Sequence, residues 1–214
     1  MAQHSSFRRT HRHGLFLRLL SLLLLLANPT ETSRAGEALV MHKIDDAIAR
    51  KTRERINTYS VLKSHDVKLS EASLWNVTES VVEESAKHSL DPMLVLAVMK
   101  VESRFDHRAE SPQGALGLMQ IRPIVVDELV DEGKIPEWKS KKNLRDPILN
   151  IKIGVAYLSY LKKMFNHLPF ALAAYNSGPT RIRIKLDAKE KIPLGYANKV
   201  VAVQISFKKH TAAA

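Results

Sequence analysis

Cysteine is absent from the 214-residue chain. Disulfide staples, thiolate zinc sites, a catalytic thiol and cysteine-linked lipid anchors are therefore excluded, and the fold must be held by its core. Glycine and proline are sparse, at 8 and 9 residues, which removes a collagen and a low-complexity polymer. No motif recurs at the spacing of a helical repeat, so a solenoid is also out. The 9 histidines are scattered, His11 and His13 fall at the N-terminus, and no HExxH occurs. No metal and no cofactor are expected from such a pattern. Acids are the minority charge, 22 against 33 Lys and Arg, for a net charge of +11. That balance favours an anionic partner, but the basic residues are dispersed and no base-reading motif accompanies them, so nucleic acid is not expected.

Long apolar runs are scarce too. The longest, residues 19–27, reads LLSLLLLLA and falls well short of the ~20 residues a membrane-spanning helix needs. It follows Arg8, Arg9, Arg12 and Arg18 and precedes the small-residue stretch Ser33-Arg34-Ala35. A positive flank, a short apolar core and a small-residue site describe a secretory signal over residues 1–35, cleaved after Ala35 or retained as an anchor. The expectation is an exported protein with no stable membrane span after cleavage.

The remainder reads as helices. Val40, Ile44 and Ile48 recur at spacing four and Ile56 extends the row, so residues 36–69 form a helical arm. Leu74, Val77, Val81 and Val82 mark a second helix from Ser70 to about Ser89. Asp91-Pro92 and Asp146-Pro147 each supply an N-cap followed by proline at the first helical position. A shorter apolar helix over 168–175 is stopped by Asn176-Ser177-Gly178-Pro179, and a last one runs from about Gly195 to Lys208. No segment alternates at period two over strand length, so the fold is all-α. The organisation expected is an arm over 36–69, a domain over 70–208 and a tail over 209–214.

One acid stands out. In the helix MLVLAVMKVES, Leu94, Val98 and Glu102 lie four residues apart, with Val95 and Met99 on the same side. That spacing aims Glu102 at the core near the negative end of the helix, where burial and the helix dipole both raise a carboxylate pKa. An acid so tuned can donate a proton at neutral pH. The competing possibility is a frayed helix end with Glu102 in solvent or paired with Lys100 or Arg104. Downstream, SPQGA at 111–115 forms a turn, Gly114 and Gly117 flank Leu116, and Met119 and Gln120 combine a soft apolar surface with an amide. ALAAYNSGP follows at 171–179.

Glu102-Ser103, GLMQ at 117–120 and AYN at 174–176, in this order within an all-α chain, resemble the soluble lytic transglycosylase domain of peptidoglycan-cleaving enzymes. Asp91-Pro92, DPILNIKIGVAYL at 146–158 and Tyr196 extend the resemblance, which runs from about Asp91 to Tyr196. It implies a lysozyme-like helical domain with a substrate groove. It places Glu102 as the single catalytic acid, with Ser103 supporting substrate or intermediate beside it. Met119, Gln120, Tyr175 and Asn176 would line the groove and Tyr196 would lie close to Glu102. The implied reaction is non-hydrolytic cleavage of the β-1,4 bond between N-acetylmuramic acid and N-acetylglucosamine, leaving a 1,6-anhydromuramoyl end without a metal. The implied partner is peptidoglycan glycan, in the periplasm of a Gram-negative bacterium, with a secretion, conjugation or flagellar assembly complex as a further partner for the arm. The sequence departs from the pattern before Tyr196, where KEKIPLG replaces a Glu-Thr pair, and at Ser177 and Thr180, where Ala and Gly are usual. Two other functions stay open on the residues. A lysozyme-type hydrolase would use Asp106 or Glu110 as a second carboxylate. A wall-binding assembly protein would hold glycan without cutting it.

Overall fold

The computed structural model describes residues 31–213 except 66, 132 and 134–143. The apolar run at 19–27 and most of the expected signal lie outside the described residues. Among the described residues the chain is helical: α1 (Glu31–Ser64), α2 (Glu71–Lys87), α3 (Pro92–Ser103), α4 (Pro123–Asp131), α5 (Pro147–Phe165), α6 (Leu168–Ser177), α7 (Pro179–Asp187) and α8 (Gly195–Ala212). Among the described residues the extended pairings are two isolated antiparallel bridges, Glu110 with Leu116 and Leu116 with Ile121.

The chain divides within α1 into Met1–Ala49 and Arg50–Ala214. In the first part Val40 and Ile48 of the stripe read from spacing are 49% and 56% exposed, while Ile44 between them is partly buried. In the second part Thr58, Val61 and Leu62 are fully buried, so packing into the core starts before residue 70. Likewise α8 continues as helix to Ala212, past Lys208. The short helix α7 was not anticipated from sequence. Its apolar residues are split by Arg181, Arg183 and Lys185, and only Ile182 is buried.

The sequence-encoded caps are present. Ser70 accepts from the Ser73 amide, Asp91 from the Met93 amide at 2.8 Å and Asp146 from the Leu149 amide at 2.8 Å. Each satisfies a helix-start donor that would otherwise lack a partner. Helix α3 is apolar on every side from Met93 to Met99 and is buried throughout that stretch, as expected of a central helix. It packs most extensively on α8. Asp91 at its start also accepts from Gln204 at 3.1 Å and contacts Lys208 at 2.5 Å, while Glu102 at its end meets Tyr196. The two helices therefore run antiparallel.

Helix α5 packs on α2 and α6 and carries a fully buried asparagine, Asn150. Its carbonyl oxygen accepts from the Met119 amide at 2.7 Å. Its amide nitrogen donates to the carbonyls of Leu116 at 2.8 Å and Leu144 at 2.9 Å. One side chain thus fixes the loop after α3 and the approach to α5. A Cβ at Gly117 (φ +75°) would sit 2.6 Å from the Asn150 amide nitrogen and 2.8 Å from the Leu144 carbonyl, so glycine is required there by both backbone and space. A Cβ at Gly154 would overlap the Met119 side chain. Asn150→Ala leaves three buried backbone groups without their partner and should cost about 3 kcal/mol. A urea midpoint unchanged from wild type would show that the loop is held by other contacts.

Candidate active site

Helix α3 stops abruptly at Ser103, one residue after Glu102. Arg104 (φ 54°) and Phe105 (φ 68°) both adopt left-handed backbone, an unfavourable conformation for side chains of that size. It is held because Phe105 is buried, edge-on to His65 at 5.3 Å and stacked near Phe207 at 6.3 Å. The turn sends the chain away from the helix axis and leaves Glu102 at the end of an apolar helix.

Glu102 is half-buried, and Tyr196 donates to its Oε1 at 2.5 Å. Neither Lys100 nor Arg104 pairs with it. Burial, the largest influence, pushes the Glu102 carboxyl above the ordinary carboxylate value. The Tyr196 hydrogen bond and the nearby charge of Lys199 pull in the other direction without cancelling it. Burial likewise raises the phenols of Tyr196 and Tyr175 well above their usual value, helped by the Glu102 charge. Both remain neutral donors across the physiological range.

Tyr175, on α6, donates to the Met119 carbonyl at 2.8 Å and lies 5.4 Å from the Tyr157 ring. The phenol therefore ties α6 to the same loop that Asn150 ties to α5. Gln120 has left-handed backbone (φ 50°), and its amide nitrogen donates to the carbonyls of Ala109 at 3.1 Å and Gly117 at 3.0 Å. Asn176 is exposed, its amide within 3.4 Å of the Ser177 hydroxyl.

Two of the sequence-selected residues are placed differently from the rest. The Ser103 hydroxyl is buried between the carbonyls of Met99 at 3.0 Å and Leu118 at 2.8 Å, where it fastens the loop to α3. Met119 is fully buried, and its side chain packs against Gly154 rather than presenting a surface. Sequence reasoning missed Asn150, and the only signal for it was a polar residue in an otherwise apolar helix. The two acids considered as second carboxylates are engaged elsewhere. Asp106 is exposed and accepts from the Arg108 amide at 2.8 Å, and Glu110 is exposed and paired with Arg145. Among the described residues no group of His, Asp and Glu is arranged to hold a metal.

An all-α bundle with a lone, partly buried glutamic acid at the end of its central helix defines a lysozyme-like domain. The chain belongs to the transglycosylase SLT domain family, whose pattern it matches over residues 79–193. It is 37% identical over 128 residues to the soluble lytic murein transglycosylase of Escherichia coli K12, a match covering 53% of this chain and 20% of that protein. It is 29% identical over 173 residues to the membrane-bound lytic murein transglycosylase C of Photorhabdus laumondii, covering 74% of this chain and 48% of that one. Among solved structures, the 70 kDa soluble lytic transglycosylase of Escherichia coli superposes with a TM-score of 0.56 at 31% identity, over 62% of this chain and 24% of that one. The lytic transglycosylase Slt of Pseudomonas aeruginosa, solved as an inactive glutamate-to-glutamine mutant, gives 0.56 at 27% identity, over 69% of this chain and 25% of that one. The chain thus spans about a fifth of the length of its soluble relatives and about half of the membrane-bound one.

Two outcomes follow from the Glu102 environment. Removing the Tyr196 hydroxyl by Tyr196→Phe takes away a bond that favours the carboxylate, so the Glu102 midpoint, read by carbon NMR titration, should move further up. A midpoint that stays or falls would contradict the geometry. The second concerns stability. A carboxyl raised on folding favours the folded state below its unfolded value, and this advantage is lost as pH rises through the folded value. Glu102→Gln, which cannot ionise, should therefore melt about 2–4 °C above wild type at neutral pH, for a gain of about 1 kcal/mol. The gap should close in acid. A gap independent of pH would show that burial of the charge is not its cause.

Proposed function

We propose that the protein is a peptidoglycan lytic transglycosylase in which Glu102 acts first as general acid and then as general base. The observation that carries the reading is one carboxyl raised by burial and bonded to a neutral phenol, while Asp106 and Glu110 are engaged elsewhere. Ordinary glycosidases place two carboxyl groups across the scissile bond, one as acid and one as nucleophile or base. A single acid suffices when the nucleophile belongs to the substrate. Protonated Glu102 gives its proton to the oxygen of the β-1,4 bond between N-acetylmuramic acid and N-acetylglucosamine, and that bond breaks. The resulting carboxylate then takes the proton from the muramoyl C6 hydroxyl as its oxygen closes on C1 of the same sugar. Glu102 returns to its starting state, and the product ends in a 1,6-anhydromuramoyl ring. No water is consumed. Tethering the nucleophile replaces a positioned water, an advantage of roughly 7–11 kcal/mol in well-oriented intramolecular reactions.

The surrounding groups take roles consistent with their bonds. Tyr196 keeps Glu102 from rising so far that it could not later serve as base. Tyr175 and Ser103 fix the loop whose Gln120 and neighbour Asn176 face the glycan. In this assignment Met119 contributes by packing, not by contact with sugar. Residues 1–35 act as an export signal, and the site of action is the periplasm. The exposed stripe of Val40 and Ile48 docks the enzyme on an envelope-spanning assembly.

The reading is tested by mass spectrometry of the muropeptides released from purified peptidoglycan. Wild type should release fragments with anhydro ends, and Glu102→Gln should lower their formation by at least about a hundredfold while keeping the fold. Fragments heavier by one water would make the protein a hydrolase instead.

A further inference from the structure

Between the two phenols of the site the chain turns strongly basic. Residues 181–199 carry Arg181, Arg183, Lys185, Lys189, Lys191 and Lys199 against Asp187 and Glu190. Lys185 is paired with Glu190 at 2.5 Å. The other five cations are exposed and make no ion pair among the described residues. The stretch is tied through Tyr175, just before α7, to the Met119 carbonyl and through Tyr196, at the start of α8, to Glu102.

Lys199 is the nearest of them to the chemistry. It lies three residues after Tyr196, one helical turn and ~4.5 Å further along α8, and thus on the same face. Its charge reaches Glu102 and opposes the effect of burial there. Exposed and without an ion pair among the described residues, Lys199 is open to an anion brought by a ligand. It lowers the readiness of Glu102 to hold a proton, which is unfavourable for an acid in the free enzyme. Both facts are accounted for if an anion covers the cation when substrate is bound.

Peptidoglycan supplies such an anion. Each muramoyl sugar bears a lactyl arm, and the arm bears a peptide with free carboxylates. We propose, resting on the lytic reading above, that Lys199 binds a carboxylate on the muramoyl arm of the glycan, with the exposed cations of α7 and the turn before α8 drawing the anionic strand toward it. The site then selects carboxylate-bearing strands over neutral ones. Occupation of Lys199 also withdraws its charge from Glu102 as the acid is needed.

The test is a binding measurement in the Glu102→Gln background, where no strand is cut. Three soluble probes are compared: intact peptide-bearing strands, the same strands with their peptide carboxylates chemically amidated, and strands stripped of peptide, in which the lactyl group is freed as a carboxylate. Intact strands should bind about fivefold more tightly than amidated ones, the scale of one partly exposed ion pair. Lys199→Met should bring that ratio to about one, and Lys199→Arg should keep it. Lys152→Met, which removes an exposed cation on α5, should keep it too. The lactyl carboxyl of intact strands is bound in the amide to the peptide and becomes a free carboxylate only on stripping. Stripped strands that bind like intact ones therefore show that a carboxylate next to the sugar serves as well, and stripped strands that bind like amidated ones confine recognition to the carboxylates of the peptide. An unchanged ratio in Lys199→Met, an equal loss in Lys152→Met or no binding to any strand would overturn the proposal. A protein that keeps the Lys199-dependent preference but releases no fragments with Glu102 intact would sustain it while overturning the lytic reading.

Discussion

The buried amide of Asn150 is the contact on which the rest of the site depends. Its three hydrogen bonds are all to backbone, to Leu116, Met119 and Leu144, so they fix chain path rather than side-chain position. A buried amide with unmet donors would cost several kcal/mol, and only one loop conformation meets them all. With the loop set, the Met119 carbonyl is in place to accept from Tyr175, and the Leu118 carbonyl is in place to accept from Ser103. Gly117 and Gly154 are the two positions where this arrangement leaves no room for a Cβ. Three helices, α3, α5 and α6, are thereby joined through one irregular segment by polar contacts, while apolar packing supplies the bulk of the stability.

The pairing of α3 with α8 is a second constraint, directed at the acid itself. At one end Asp91 caps α3 and holds Gln204 and Lys208 of α8. At the other end Glu102 holds Tyr196. Polar contacts at both ends fix the register of two helices whose facing surfaces are otherwise apolar and could slide. The same apolar surroundings raise the Glu102 carboxyl. Acid strength and position thus have one origin, the burial of a central helix whose last turn carries a carboxylate.

Much of this was readable in the sequence because it is local. Ser70, Asp91 and Asp146 announce helix starts through contacts two or three residues long. The inward aim of Glu102 follows from the period of a single helix. The missed helix α7 has a local reason as well, since its pattern is broken by three cations and its stability comes from docking Ile182. The resemblance of GLMQ implies a groove position for Met119, yet the side chain lies in the core against Gly154. A sequence gives the residue type but not the side to which an irregular loop turns it.

The sequence by itself determined the all-α class, the caps and the placement of Glu102 on the inward face of its helix. Each of those depends on spacing along a continuous helix, which is a property of the chain. Tertiary structure alone decided the use of the Ser103 hydroxyl and the role of Asn150, and it alone gives the hydrogen bond that makes Tyr196, a neighbour implied only by family resemblance, the partner of that acid. Tyr196 is 94 residues from Glu102, Leu118 is 15 from Ser103, and Met119 is 31 from Asn150. No local periodicity links residues at such distances. They meet only because the helices between them pack and because a buried polar group must find whatever partner that packing brings within reach.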